Sequence, residues 1–156
     1  MPIKNYTTTI DAEKSVSQIQ DLLRRKGARR VLVDYDEKGR PEAVAFELEL
    51  AQPEGVPFRL PFQIRARPEA MKRCLSADPD VPPRLRTLEQ AKRVAWRLVY
   101  NWIDVQLAFV EAGQAAMAEL MLGFALSTHR DGEGVPKTFY EVLLDAEGPK
   151  LLAEHL

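Results

Sequence analysis

The chain has 156 residues, 46% hydrophobic and 29% charged, with a formal net charge of −1. This balance excludes wholesale disorder and leaves enough chain for one domain to bury a core unaided; a single cysteine, Cys74, excludes an internal disulfide and fits a reducing compartment. The charge is unevenly spread: residues 58–97 hold ten basic and four acidic groups, and residues 98–156 hold three basic and nine acidic. Such blocks fit an anionic-ligand site, head-to-tail attraction between subunits, or two faces meeting within one fold.

In chain order, KNYTTTI (4–10) is β-branched and predicts a first, edge strand. Ser15 and Gln18 have capping-box spacing. Val16, Ile19, Leu22 and Leu23 then form an apolar stripe ending at Gly27, which predicts a helix over 16–26 with Arg24, Arg25 and Lys26 at its negative end. Three strands follow at 29–36, 42–50 and 56–62, joined by the turns EKGRP and QPEGVP. Short connections favour an antiparallel meander with one wet face. Pro57 and Pro61 assign the last strand to an edge or a bulge.

Pro68 opens a helix over 69–75, with Cys74 and Leu75 on its apolar face. SADPDVPPR (76–84) is a proline-rich connector, and Thr87 with Gln90 caps a long helical segment. THRDGEGVPK reads as a loop, KTFYEVLL (137–144) as a short helix or strand, and EGPKLLAEHL as a terminal tail. No internal repeat or low-complexity tract is present. The expected fold is α+β, a small antiparallel sheet in β-α-β-β-β-α order followed by a long helix or helical hairpin. Its divisions are a sheet domain at 1–75, a connector at 76–86, the helical segment at 87–126 and a C-terminal loop and short element at 127–156.

The segment 87–126 contains no proline, and its apolar stripe is wider than a small sheet can cover. Unbroken, its forty residues span about 60 Å. It therefore either bends near Gly113 into a hairpin or projects into an oligomer. Ala108, Ala112, Ala116 and Leu120 are the expected oligomer interface.

Familiar catalytic patterns are incomplete. DYDEKG (34–39) begins like a calcium loop, but Ala45 stands where the bidentate glutamate belongs and Pro41 interrupts it. His129, Asp131 and Glu133 are close in sequence but lack a metal-ligand spacing. There is no G-x-S-x-G, no phosphate-binding glycine loop and no dinucleotide fingerprint. No catalytic residue, metal or cofactor is assigned. The remaining chemistry lies in the basic block: Arg84, Arg86, Lys92, Arg93 and Arg97, with Trp96 and Tyr100 at helical spacing. Arginine forks hold phosphate and aromatic faces stack bases, so these residues are the expected nucleic-acid or nucleotide site. The opposing expectation packs the aromatics on the sheet beneath the arginine stems.

The α-β-β-β-α order resembles the double-stranded-RNA-binding module, although residues 67–73 lack its strong basic triplet. KNYTT (4–8), DYD (34–36), FRLP (58–61) and QAKRVAWRLVYNWIDVQLAFVEAG (90–113) resemble a group of small uncharacterised bacteriophage and prophage proteins. That resemblance implies a mobile-element accessory protein in a bacterial cytosol and carries no catalytic residues. Arginine exceeds lysine by 14 to 8 and asparagine occurs twice, a balance similar to thermophile proteins. The N-terminal residues lack a basic-then-apolar signal, and the most apolar run is too short to span a bilayer, so a cytoplasmic protein is expected.

The leading expectation is a non-enzymatic, homo-oligomeric accessory protein that contacts nucleic acid or a nucleotide through the arginine block. The alternative is a protein–protein module that inhibits or modulates a host bacterial enzyme or defence factor. An unfamiliar enzyme using His129, Asp131 and Glu133 is the third.

Overall fold

A computed structural model of the chain describes residues 1–50, 55 and 58–145. Its elements are α1 (Ala12–Arg25), β1 (Arg30–Tyr35), β2 (Pro41–Leu50), β3 (Phe58–Arg65), α2 (Pro68–Ala77), α3 (Leu88–Glu111), α4 (Met117–Met121), β4 (Leu126–Arg130), β5 (Pro136–Thr138) and α5 (Phe139–Leu144). The fold is α+β. Strands β1, β2 and β3 form an antiparallel meander in that order, and β4 and β5 form a separate hairpin. The expected turn at 52–57 falls outside the described residues except Gly55, and so does the tail at 147–156.

Strand alternation determines the buried face of the meander. Val44, Phe46 and Leu48 of β2, with Phe62 and Ile64 of β3, point into a core closed by α1 and α3. Phe46 and Phe62 are register partners whose rings stack at 5.3 Å between centroids. The other face is wet, with Arg30, Glu47 and Arg59 in one charged row. β3 is a terminal strand of this sheet, where Pro61 is tolerated.

Helix α1 buries the predicted stripe of Val16, Ile19, Leu22 and Leu23. It begins earlier than the capping-box spacing implies, with Asp11 at its N-cap. Ser15 is instead buried inside the helix, and Gln18 accepts a hydrogen bond from Arg97 across the α1–α3 seam. Gly27, at φ 97°, ends the helix while the Ala28 N–H returns to the Leu23 carbonyl.

Residues 4–10 do not form the expected strand. Residues 4–7 turn, with Asn5 at φ 65°, and the segment lies against α3. The Gln90 side-chain amide donates to the carbonyls of Tyr6 and Thr8, each at 2.9 Å. Held on α3 by these bonds, the β-branched residues pair with no sheet edge and make no strand. Gln90 is thus diverted from the capping box, while the Thr87 hydroxyl alone caps the helix by accepting the Gln90 N–H at 3.1 Å.

The long helix expected after the strands is present as α3, although it does not run unbroken through all of 87–126 and no long helical hairpin forms there. Helix α3 has 24 residues and stops before Gly113, which adopts φ 71°. Helix α4 has only five residues, and β4 begins at Leu126. A second core gathers on the opposite side of α3, where Leu75 and Val81 meet Ala91 and Val94. The former connector is therefore packed against the helix.

The expected loop THRDGEGVPK (128–137) is part of a hairpin. Its turn repeats the one between β1 and β2. In the first, the Asp36 carboxylate accepts the Lys38 and Arg40 N–H groups at 2.9 Å, and Gly39 N–H bonds back to the Asp36 carbonyl. In the second, Asp131 accepts Glu133 and Val135 N–H groups at 2.9 Å, and Gly134 returns to the Asp131 carbonyl. Both follow D-x-x-G-x-P, ending on the proline that starts the next strand.

Replacing Gln90 with leucine keeps the side-chain volume but leaves the Tyr6 and Thr8 carbonyls without their donor. Denaturant unfolding is expected to show a loss of about 1–3 kcal/mol. Limited proteolysis is expected to cut within residues 1–10 before any site in the core.

Candidate functional site

The last residues of β3 emerge from the sheet beside the β4–β5 hairpin. Phe62 and Ala125 form an isolated antiparallel bridge, which attaches the hairpin to the β3 edge. The Phe139 N–H donates to the Ala125 carbonyl at 2.8 Å and brings α5 to the same place. Between these pieces opens a cleft of about 970 Å³. Gln63, Arg65 and Arg67 line it from β3 and the segment after it, Gly123 and Phe124 from the turn before β4, and residues between Asp131 and Leu144 from the hairpin and α5.

The cleft has an apolar rim. Phe124, Val135, Tyr140 and Leu144 line it and are exposed, with Tyr140 at 59% and Leu144 at 66%. Leu122 and Phe139 are also exposed nearby in the chain. An apolar concentration of this kind is characteristic of an interaction surface. Phe124 is held by Trp102, with ring centroids 5.2 Å apart.

Several charges around the cleft are already engaged. Lys137 lies 3.2 Å from Asp145, and Arg65 lies 3.6 Å from Glu42. Glu141 accepts the Thr138 N–H at 2.7 Å, closing a capping box at the start of α5. The Asp131 carboxylate is occupied by its turn. Hydrogen bonds from Val135 and Glu133 hold its pKa below the ordinary carboxylate range. Arg67, at the N-cap of α2, and Glu133, in the turn, are exposed.

The sequence-based basic site disperses into structural roles. Trp96 is fully buried, and its indole N–H reaches the Pro41 carbonyl at 3.4 Å, leaving no face for a base. Arg97 is buried, donates to Gln18 and lies 4.2 Å over the Tyr100 ring. Arg93 pairs with Asp11 at 3.2 Å, and Arg86 donates to the Val81 and Asp78 carbonyls. The Lys92 ammonium is buried and its charge acts on Asp36. Arg84 is exposed on a 3-10 turn, Pro83–Leu85. Thus the packed alternative describes the positions of Trp96, Arg97 and Tyr100.

The four expected interface residues do not share one helix. Ala108 is on α3 and Ala112 is its C-cap, both exposed beside Val105 and Phe109. Ala116 and Leu120 lie beyond the Gly113 break, and Leu120 packs against the main core. Cys74 is exposed beside a small hollow between α2 and α3, unlike its expected burial. His129 is exposed on β4 and does not line the cleft, whereas Asp131 and Glu133 do.

The cleft residues were missed because they come from three distant segments. Arg65 and Arg67 were visible as part of the basic block, and the repeated D-x-x-G-x-P would have located the second hairpin. No helix among the described residues is long and apolar enough to cross a membrane. Comparison with protein families, curated proteins and solved structures finds no match.

Arg97→Ala is expected to cost about 1–3 kcal/mol in denaturant unfolding, because Gln18 loses its donor and Tyr100 its cover. For Asp131, a folded pKa below the unfolded one means its contribution is complete above the ordinary carboxylate range. It is lost as pH falls through the lowered folded value. The Glu133 and Val135 amide resonances are expected to shift over that acidic window, and Asp131→Asn is expected to abolish the shift.

Proposed function

We propose that this protein is a non-enzymatic binding module whose cleft between β3 and the β4–β5–α5 unit receives a segment of a partner protein. The observation that carries this reading is the exposed apolar rim of Phe124, Val135, Tyr140 and Leu144 around a cleft of about 970 Å³. Large apolar side chains that remain in water gain by being covered, and aromatic residues dominate the energetics of protein interfaces. The favoured ligand is a peptide segment with a large apolar anchor beside an acidic residue. The anchor covers the rim, and the carboxylate meets Arg67 at the cleft wall. This reading is compatible with the mobile-element accessory protein of a bacterial cytosol that the phage-type resemblance implies, and it takes up the alternative of a protein–protein module.

A second reading keeps the nucleotide ligand but moves it. Arg65 and Arg67 share the cleft with exposed Tyr140, so a phosphate on the arginines and a base on the tyrosine form a compatible pose. The carboxylates of Asp131, Glu133 and Glu141 lining the same cleft oppose a polyanion, which makes the peptide reading the better supported.

A displayed-peptide library selected on the immobilised protein tests both. Enriched peptides are expected to combine a large apolar residue with Asp or Glu. They are expected to bind Tyr140→Ser/Leu144→Ser roughly tenfold or more weakly. Equal binding to the variant would overturn the cleft assignment. Salt-sensitive binding of mononucleotides that disappears in Arg65→Ala/Arg67→Ala would favour the second reading.

A further inference from the structure

Strand β1 ends the meander with an unprotected edge. Sheet edges are normally blunted by proline, lysine, a central bulge or a covering element. The sequence of β1 is RVLVDY, without proline or lysine, and its register irregularity falls only at its end, between Asp34 and Tyr35. No strand among the described residues pairs on this side of β1. By contrast, the opposite edge, on β3, is bridged at Phe62 by Ala125.

The orientation of the free backbone groups follows from the turn. Asp36 N–H donates inward to the Arg40 carbonyl at 2.8 Å. Strand alternation then directs the N–H and C=O groups of Asp34, Leu32 and Arg30 toward β2, and those of Val31 and Val33 toward the open edge. On the wet face Leu32 is 58% exposed, flanked two residues away by exposed Arg30 and Asp34. A hollow of about 560 Å³ lies beside Val31 and Ala28, between β1 and α1.

We propose that β1 is a homodimerisation edge, where a second copy of this chain adds its own β1 antiparallel across a two-fold axis at Leu32. That register makes the edge self-complementary. Val31 and Val33 exchange main-chain hydrogen bonds with Val33 and Val31 of the second copy. Leu32 meets its equivalent as a close, non-hydrogen-bonded pair. Arg30 of each copy faces Asp34 of the other, so two opposite-charge pairs flank the leucines, and a parallel arrangement would not create this match. The hollow beside α1 gives room for the core-side row of the added strand. The result is one six-stranded sheet, and it leaves the cleft beside β3 open on both copies.

Sedimentation of the full chain over a micromolar to hundreds-of-micromolar range tests the proposal. The wild type is expected to reach dimer mass, and Leu32→Arg and Asp34→Arg to remain monomeric. Arg30→Asp/Asp34→Arg is expected to restore the dimer by exchanging the paired charges. Independently, Leu32→Cys in a Cys74→Ser background is expected to form an intermolecular disulfide under mild oxidation, since non-hydrogen-bonded antiparallel positions are close enough to bridge. A wild type that stays monomeric without cross-linking overturns the proposal. So does a dimer that survives Leu32→Arg but dissociates in Phe109→Glu, which instead places the interface on α3.

Discussion

One helix has to satisfy two cores, and most of the architecture depends on that demand. Trp96, Ile103 and Leu107 of α3 close the main core over Phe46 and Phe62, while Ala91 and Val94 serve the smaller core with Leu75 and Val81. A helix apolar on so much of its circumference would be unstable in water on its own. The meander with α1 covers one side, and α2, the proline-rich segment and the N-terminal residues cover the other. The width of the stripe that predicted a subunit interface is therefore largely used within the chain. Only the end of α3, around Val105 and Phe109, leaves apolar side chains exposed.

Polar side chains on this helix act as ties between layers. Gln90 holds the carbonyls of Tyr6 and Thr8, Arg93 pairs with Asp11, and Arg97 reaches Gln18. Further along, Lys26 of the α1 C-cap pairs with Glu111 at the end of α3. The order of these contacts shows that α1 and α3 run parallel. Hydrogen bonds of this type specify register because a displaced helix would leave buried donors and acceptors unpaired. The same ties hold Arg93 and Arg97 of the basic block in contacts within the fold.

The functional surfaces lie where this packing ends. The β4–β5 hairpin and α5 are joined to the sheet through Ala125 and carry much of the exposed apolar surface. Strand β1, at the far side of the meander, has its backbone edge open. A cleft at one edge and a bare strand at the other are the two surfaces to which the proposed ligand binding and self-pairing are assigned.

Much of the fold was legible locally. The α1 stripe, the three strands of the meander, Pro68 at the start of α2 and Thr87 at the cap of α3 each express a rule contained within a few residues. Gly113 was visible as the break. One departure arose where a remote partner overrode a local preference, since Gln90 holds the Tyr6 and Thr8 carbonyls against α3. The other, the hairpin at Asp131, follows from the local D-x-x-G-x-P turn. The site was less legible because Trp96 and Arg97 have the same sequence spacing whether they face solvent or core. By itself, the sequence determined the periodic elements and their order, since backbone and capping preferences act over one or two turns. Only the tertiary structure decided which cations remain free, where the cleft opens and which strand edge is bare. Burial and edge pairing depend on atoms contributed by distant parts of the chain.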